Sequence, residues 1–387
     1  MRINIVHMGF FYSGGGERVV LEQAKRLRER GHKVQIYSPI TRWDKCFPDL
    51  LKEVNPERFV PKCPFPLPFR EGLAMIASAT LPFGVRKLAD CDILLCHSQP
   101  SIWIGYRINR LLGIPYVGYL HQLTTFIHKR PEVAGGWATT GDFLLLDGLL
   151  GIFGRSVAHR LDYICHRYAR RLIFNSAWTR SRFEDEYGLS GEVCYPGINF
   201  SPACYSSVRS GIITASRHYP WKRIDLAFQV LKALDVEKKP TFFVVGEETS
   251  HTRNLREAAR RLGVEKHVKF TGFIDDEELF RLYAQSSAYV QTSVEEPFGL
   301  GPLEAQSYGT PAVVWGDAGV KETVLDGETG YHAVPYDISD FSSKLQTILA
   351  DQQRWKSMSR MAKVWASTFD WDTHIDLLES VLDQERR

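Results

Sequence analysis

The sequence predicts an α/β fold of two Rossmann-like domains, each a doubly wound parallel sheet, and three observations predict it. The chain of 387 residues is longer than the roughly 250–300 that one hydrophobic core sustains. Short β-rich segments alternate with segments of helical period, which implies strand–helix–strand units and parallel pairing. The alternation also starts twice, once at the N-terminus and again after about residue 200, with turn formers concentrated in YPGINFSPACYSS (195–207) between the two.

The first domain opens with INIVHM (3–8) as strand, SGGGE (13–17) as turn and RVVLEQAKRLRERG (18–31) as helix closed by Gly31. KVQIYSP (33–39), CDILLCHS (91–98), IPYVGYLH (114–121) and RLIFNS (171–176) are its further strands. Residues 57–90, rich in Pro, Phe and basic side chains, fit neither pattern and read as an irregular loop, with a surface-seeking amphipathic insertion as the alternative. In the second domain GIITASR (211–217) precedes a helix with apolar positions at Ile224, Ala227, Phe228, Leu231 and Leu234. TFFVVG (241–246), VKFTGF (268–273), SAYVQTS (287–293) and TPAVVWG (310–316) complete that sheet. Strand ends facing one another would form a cleft, the usual ligand site of open α/β sheets.

An apolar fraction of 44% and a charged fraction of 24% belong to an ordinary globular chain. The apolar runs at 72–85 and 143–154 are shorter than the roughly 20 residues a membrane span needs, and Asp147 interrupts the second. The N-terminus lacks a signal-peptide core. Seven cysteines with no Cys-x-x-Cys spacing argue against a disulfide framework and a cysteine zinc site, so a reducing, cytoplasmic location is expected. Up to residue 190 there are 26 Lys and Arg against 17 Asp and Glu; beyond it there are 22 against 28. A basic first half suits a phosphorylated acceptor or a lipid headgroup surface at the inner face of a membrane; uneven surface decoration explains it as well. The dispersed basic residues and the lack of a recognition motif exclude a nucleic-acid role.

Three stretches carry chemistry. In HMGFFYSGGGERVV (7–20), glycines between the first strand and first helix let a backbone approach an anion at a helix N-terminus; a simple tight turn is the competing reading. The second strand ends IYSP without the acid a dinucleotide ribose requires, which weighs against a nicotinamide cofactor. SRHYPWKRID (216–225) offers Arg217 and Lys222, one on the loop and one at the start of the next helix, suited to a diphosphate or equally to a solvated basic turn. QTSVEEPFGLGPLEAQSYG (291–309) runs from strand through loop to helix and sets Glu296 and Glu304 eight positions apart. Pro302 suits the first helical turn, which puts Glu304 in that turn and leaves the N–H groups of Gly299, Leu300 and Gly301 for anionic oxygens. Acids accepting from hydroxyls at both edges, with amides between, fit a nucleotide sugar; Glu304 could instead complement the helix dipole.

On these residues the chain resembles the large family of retaining GT-B glycosyltransferases that use nucleotide sugars. Its paired-glutamate motif stands as Glu296 and Glu304, and GTPAVVWGDAGVKETVLDGETGYHA (309–333), VKFTGFIDDEEL (268–279), GGGERVV (14–20) and FDWDTHIDLLESVL (369–382) resemble its other segments. The resemblance is dense in the C-terminal half and pointwise in the N-terminal half. It implies an acceptor-binding domain at 1–200, completed by a C-terminal helix at 370–387, and a nucleotide-sugar domain at 201–369. It implies that Glu296 holds hydroxyls of the transferred sugar and Glu304 the ribose. Arg217 and Lys222 would hold the diphosphate, and His121 would lie beside the sugar near the reacting centre. The donor set is completed by Gly15, Gly16, Phe298, Gly299, Leu300 and Glu322, the last with a structural role equally open. Ser216, Arg223, Glu247 and Gln122 depart from the family pattern and bear on the nucleotide's identity more than on the reaction.

The expected activity is retaining transfer of a hexose, mannose from GDP-mannose first, to a hydroxyl of a glycan or lipid-linked acceptor. No residue can be named for double displacement; the resemblance instead implies same-face attack, with the departing phosphate helping to take the acceptor's proton. No Asp-x-Asp stands at a strand end, and DDEE (275–278) reads as a helix cap, so neither metal nor other cofactor is expected. A nucleotide-sugar epimerase of the same fold and a non-catalytic sugar-nucleotide-binding protein are the alternatives.

Overall fold

A computed structural model describes residues 1–61, 83–124, 127–128, 154–200 and 209–386, with 74, 77, 78 and 81 between them. Nearly all of the apolar run at 143–154, residues 201–207 of the expected linker, and half each of the apolar run at 72–85 and of the 57–90 segment therefore lie outside the described residues. Two compact units emerge: unit 1 is Met1–Gly197 with Trp371–Arg387, and unit 2 is Ile198–Asp370.

Among the described residues unit 1 holds seven parallel strands: β1 (Arg2–His7), β2 (Lys33–Ser38), β3 (Glu57–Arg58), β4 (Ile93–His97), β5 (Tyr116–Leu120), β6 (Arg171–Phe174) and β7 (Glu192–Val193). They lie in the order β3-β2-β1-β4-β5-β6-β7. Order reverses between β1 and β4, where Ile3 pairs with Ile93 and His7 with His97. Alternation along β1 sends Ile3 and Ile5 into one core and Val6 into the other, as a sheet covered on both faces requires. Helix α1 (Gly15–Glu29) and α2 (Pro48–Val54) cover the first face; α3 (Val85–Leu88), α4 (Ser101–Leu112), α5 (Arg155–Arg167) and α6 (Ala177–Tyr187) follow in the chain. Residues β3, β7 and α2 add to what periodicity located, being too short to carry a period.

Unit 2 repeats the plan with β8 (Ile212–Ala215), β9 (Phe242–Val245), β10 (Val268–Gly272), β11 (Ala288–Gln291), β12 (Ala312–Trp315) and β13 (Gly330–Ala333). Their order, β10-β9-β8-β11-β12-β13, reverses between β8 and β11. The helices are α7 (Ile224–Ala233), α8 (Thr252–Leu262), α9 (Asp276–Gln285), α10 (Leu300–Ser307), α11 (Ile338–Ala350) and α12 (Gln352–Ala366). Ile224, Ala227, Phe228, Leu231 and Leu234 are all buried in one core, and Asp275 caps α9 by accepting from the Glu278 N–H at 2.8 Å.

Two sequence expectations need correction here. Lys222 does not begin the next helix: it ends a 3₁₀ turn (Pro220–Lys222), and Arg223, at φ 48°, breaks that turn from α7. Glu304 is not in the first turn of its helix: Gly299, at φ 94°, caps α10, which starts at Leu300, so Pro302 takes the third position and Glu304 the fifth. A left-handed cap costs glycine little, and it allows the helix to begin earlier than proline alone indicated.

The last helix, α13 (Trp371–Glu385), belongs to unit 1, where Trp371, Ile375, Leu378 and Leu382 join the same core as Ile3 and Ile5. His374 fastens it: Nδ1 donates to the Tyr195 carbonyl at 2.7 Å, and Nε2 lies 2.9 Å from Gln23 Nε2. Leu378→Ala is expected to destabilise unit 1 by about 2–5 kcal/mol, the usual cost of a buried leucine, read from the urea midpoint. No helix among the described residues is long and apolar enough to cross a membrane.

Candidate active site

In unit 2 the candidate residues gather at the carboxyl ends of β8 and β11, the two strands between which the order reverses. The loop after β8 carries Arg217 and Lys222. Gly246, at φ 141°, makes this loop possible, since a Cβ there would lie 2.1 Å from the Ser216 carbonyl oxygen. The Arg217 guanidinium sits 5.0 Å from the centre of the Tyr219 ring, and Tyr219 stacks on Trp221 at 4.4 Å with the planes nearly parallel. His218 between them is wholly buried, bonded to Thr252 Oγ1 at 3.0 Å and pushed down to about 4 by burial, so it is neutral near pH 7.

The paired acids take different partners. Glu296 Oε2 accepts from Lys222 Nζ at 2.7 Å and from Ser293 Oγ at 2.9 Å, with both members of the ion pair about four-fifths buried. Glu304 accepts from the Tyr283 hydroxyl of α9 at 3.2 Å. The family resemblance assigns Lys222 and Glu296 to different parts of a ligand; the fold joins them directly. An ammonium and a carboxylate so placed neutralise one another, and each is of a chemical type that bonds a polar ligand.

What holds Glu296 in place was missed in the sequence. Its carbonyl accepts from the Gly319 N–H at 3.0 Å, and the Glu295 N–H, on a residue at φ 52°, donates to Asp317 Oδ2 at 3.0 Å. Burial raises the Asp317 carboxyl above the usual carboxylate range. Gly319 sits so close that a Cβ would lie 1.8 Å from the Pro297 carbonyl oxygen. The signal was present as WGDAGVKE (315–322), but its spacing says nothing about which loop it clamps.

Gly299 and Leu300 are the cap and first residue of α10, and Gly301 is its second, so their N–H groups are those a helix leaves without internal partners. A Cβ on Gly301 would meet the Tyr289 hydroxyl at 2.3 Å; glycine therefore lets α10 rest on β11, whose Tyr289 hydroxyl donates to the Ala215 carbonyl at 3.2 Å. Phe298 turns its side chain into a small core with Leu303, Ala366 and Phe369, which leaves its backbone for any ligand contact. Glu322 ends the 3₁₀ turn Gly319–Glu322 and is half-buried. A depression of about 390 Å³ lies at the start of α8, lined by Glu248, Thr249, Ser250, Thr252, Arg253 and Arg256.

In unit 1, Gly15 and Gly16 are the first two residues of α1, capped by Gly14. A Cβ on Gly16 would meet nothing within 4 Å among the described residues, whereas one on Gly14 would meet the Glu17 carboxylate at 2.4 Å. His121, just past β5, belongs to a buried histidine cluster: its Nε2 is 3.2 Å from His97 Nδ1, and His97 lies edge-on to His7 at 6.2 Å. Burial, with a smaller push from His374, lowers His121 to about 4. Burial holds His7 down to about 3 and His97 well below the usual histidine range. His121 is thus a neutral hydrogen-bonding group near pH 7 and not a cation.

The cluster makes unit 1 acid-sensitive. Unfolded imidazoles bind protons near pH 6.5, whereas folded His121 and His374 wait until about 4 and His7 until about 3. Between those values the unfolded chain holds more protons, so stability falls as pH drops through the window. For one ring the loss is at most on the order of 3–5 kcal/mol. Urea unfolding across this range checks it, and His374→Gln should flatten the dependence.

Residues 13–201 match the family model described as Glycosyltransferase Family 4, and residues 209–365 the model described as Glycosyl transferases group 1. The mannosylfructose-phosphate synthase of Agrobacterium fabrum is 24% identical over 94% of this chain and 85% of its own. The GDP-mannose-dependent alpha-(1-6)-phosphatidylinositol monomannoside mannosyltransferase of Mycolicibacterium smegmatis is 28% identical over 55% of this chain and 62% of its own. Among solved structures, that of Anabaena Alr3699/HepE in complex with UDP and glucose shares the fold at a TM-score of 0.78, with 23% identity over 99% of this chain and all of the other.

Proposed function

Because the chain belongs to the GT-B glycosyltransferases, with the family 4 domain followed by the group 1 domain, we propose that it transfers mannose from GDP-mannose, with retention, to a hydroxyl of a glycan or lipid-linked acceptor. The observation that carries this reading is the Lys222–Glu296 pair beside the α10 N-terminus at the point where strand order reverses. One end of that arrangement accepts from sugar hydroxyls and the other donates to phosphate oxygens, as a nucleotide sugar demands.

In this reading Glu296 holds the transferred sugar, and Arg217, Lys222 and the N–H groups of Gly299, Leu300 and Gly301 receive the diphosphate. Glu304, steadied by Tyr283, accepts from the ribose. Gly15 and Gly16 offer the N-terminus of α1 to an anionic oxygen, and His121 serves as a neutral hydrogen-bond partner for the sugar. Transfer breaks the bond between the anomeric carbon and the β-phosphate oxygen and forms one from that carbon to the acceptor oxygen on the same face. The acceptor's proton passes to the departing phosphate oxygen. Catalysis then consists of positioning plus stabilisation of the leaving diphosphate by fixed cations and amides, without a metal.

The relatives whose names specify mannosyl transfer support the donor, and the basic first half supports an anionic, membrane-borne acceptor. Helix α5 adds exposed Val157 and Leu161 beside exposed Arg160, a face suited to peripheral lipid contact on the cytoplasmic side. A panel of nucleotide sugars, read by thermal shift and by product analysis with the anomeric configuration assigned by NMR, tests the proposal. GDP-mannose should stabilise the chain most and yield a retained linkage. Turnover of UDP-sugars alone would refute the mannose assignment, and an inverted product would refute the same-face step.

A further inference from the structure

We infer that unit 1 carries a binding site for a zinc-class divalent cation, made by His128, His159 and Glu186 and separate from every residue assigned to the donor. The site starts from a buried carboxylate. Asp162 on α5 is wholly buried, and four uncharged groups donate to it: Gln99 Nε2, Trp103 Nε1 at 3.0 Å, Thr124 Oγ1 at 3.0 Å and the Tyr187 hydroxyl at 2.6 Å.

That network determines a histidine tautomer. Tyr187 has one hydroxyl proton, and the carboxylate takes it, so the hydroxyl oxygen can only accept from His128 Nε2, 2.6 Å away. His128 therefore carries its proton on Nε2 and a lone pair on Nδ1. The lone pair faces Glu186 Oε1 at 3.7 Å, and the same oxygen lies 2.7 Å from His159 Nε2. Two imidazole nitrogens and a carboxylate oxygen thus lie within 4.8 Å of one another, drawn from the segment after β5, from α5 and from the last turn of α6. A lone pair turned towards a carboxylate is repelled by it, and a metal cation held between them would relieve that repulsion.

Ligand chemistry selects the cation. With metal–ligand bonds of about 2.0–2.1 Å, neighbouring ligands of a tetrahedral ion stand about 3.3 Å apart; the 2.7 and 3.7 Å separations from Glu186 Oε1 bracket that value, and the two imidazoles, within 4.8 Å, would draw closer around a bound ion. Two imidazoles with one carboxylate suit zinc and its neighbours rather than magnesium or calcium, which take oxygen. The chain of Asp162, Tyr187 and His128 is the outer support such a ligand needs to hold its ring and tautomer. The bound ion would tie α5 and α6 to the segment after β5. Cysteine spacing could not reveal it, because no cysteine takes part.

The test uses the untagged full chain, stripped with a chelator and titrated calorimetrically with ZnCl₂ and, in parallel, with MgCl₂. One zinc per chain is expected, with a rise in melting temperature that MgCl₂ does not produce. His159→Ala and Glu186→Gln, both at partly exposed side chains, should weaken zinc binding at least about 10-fold, and Tyr187→Phe about 10–100-fold with stoichiometry kept. Cobalt(II) substituted into the wild-type chain should show the intense visible bands of a four-coordinate site, which gives a readout that needs no variant. Absence of stoichiometric zinc binding, equal binding of magnesium, or unchanged affinity in folded His159→Ala and Glu186→Gln would each overturn the inference.

Discussion

Replacing Lys222 with alanine is expected to lower kcat/KM for sugar transfer about 10²–10³-fold while the chain stays folded. The ammonium bonds Glu296 at 2.7 Å and, in the proposed complex, neutralises charge that develops on the departing diphosphate. Its removal therefore withdraws stabilisation from the transition state and also frees the carboxylate that must hold the sugar. The stability cost should be about 1 kcal/mol or less, because the pair is still partly open to water. Glu296→Gln should show a comparable loss, since an amide keeps the shape but not the charge. The double variant should be little worse than the poorer single one, because two groups in direct contact act as a unit. Steady-state kinetics with thermal melts on all three variants checks this. Near-normal turnover in both folded single variants would remove these residues from the mechanism.

The second large effect is expected at a residue that carries no side chain. Gly319→Ala should destabilise unit 2 by about 1–3 kcal/mol or more and lower kcat about 10²-fold. The added Cβ would lie 1.8 Å from a backbone oxygen, that of Pro297, so no side-chain rotation can relieve the clash. The loop of residues 295–299 must move instead, and with it the Glu296 carbonyl, now bonded to the Gly319 N–H at 3.0 Å. A shift of this size carries the carboxylate out of reach of Lys222. Kinetics should therefore resemble those of Glu296→Gln, with an added drop in the urea midpoint that Glu296→Gln lacks. Equal stability and turnover to the wild-type chain would show that the clamp does not position the loop.

The site was legible wherever its features are local. The helix cap at Asp275, the amides of Gly299 to Gly301 and the glycines that begin α1 follow from turn and helix-end chemistry within a few residues. Lys222 and the start of α10 were misplaced because left-handed residues, Arg223 and Gly299, reset the helix boundaries. Periodicity carries no trace of such a reset. The motif sets Phe298 among the donor contacts; only the neighbouring Leu303, Ala366 and Phe369 show that its ring is core.

By itself the sequence determined two doubly wound sheets and the residue types at their carboxyl ends, because short apolar strands, helical period and glycine turns act over a handful of positions. Tertiary structure alone decided that Lys222 meets Glu296 across 74 positions, that Gly319 clamps the loop between them, and that four neutral donors enclose Asp162. Those outcomes depend on which strand ends the crossover connections bring side by side. Pairing at a distance of that kind leaves no local pattern, because each partner obeys only the rules of its own strand or turn.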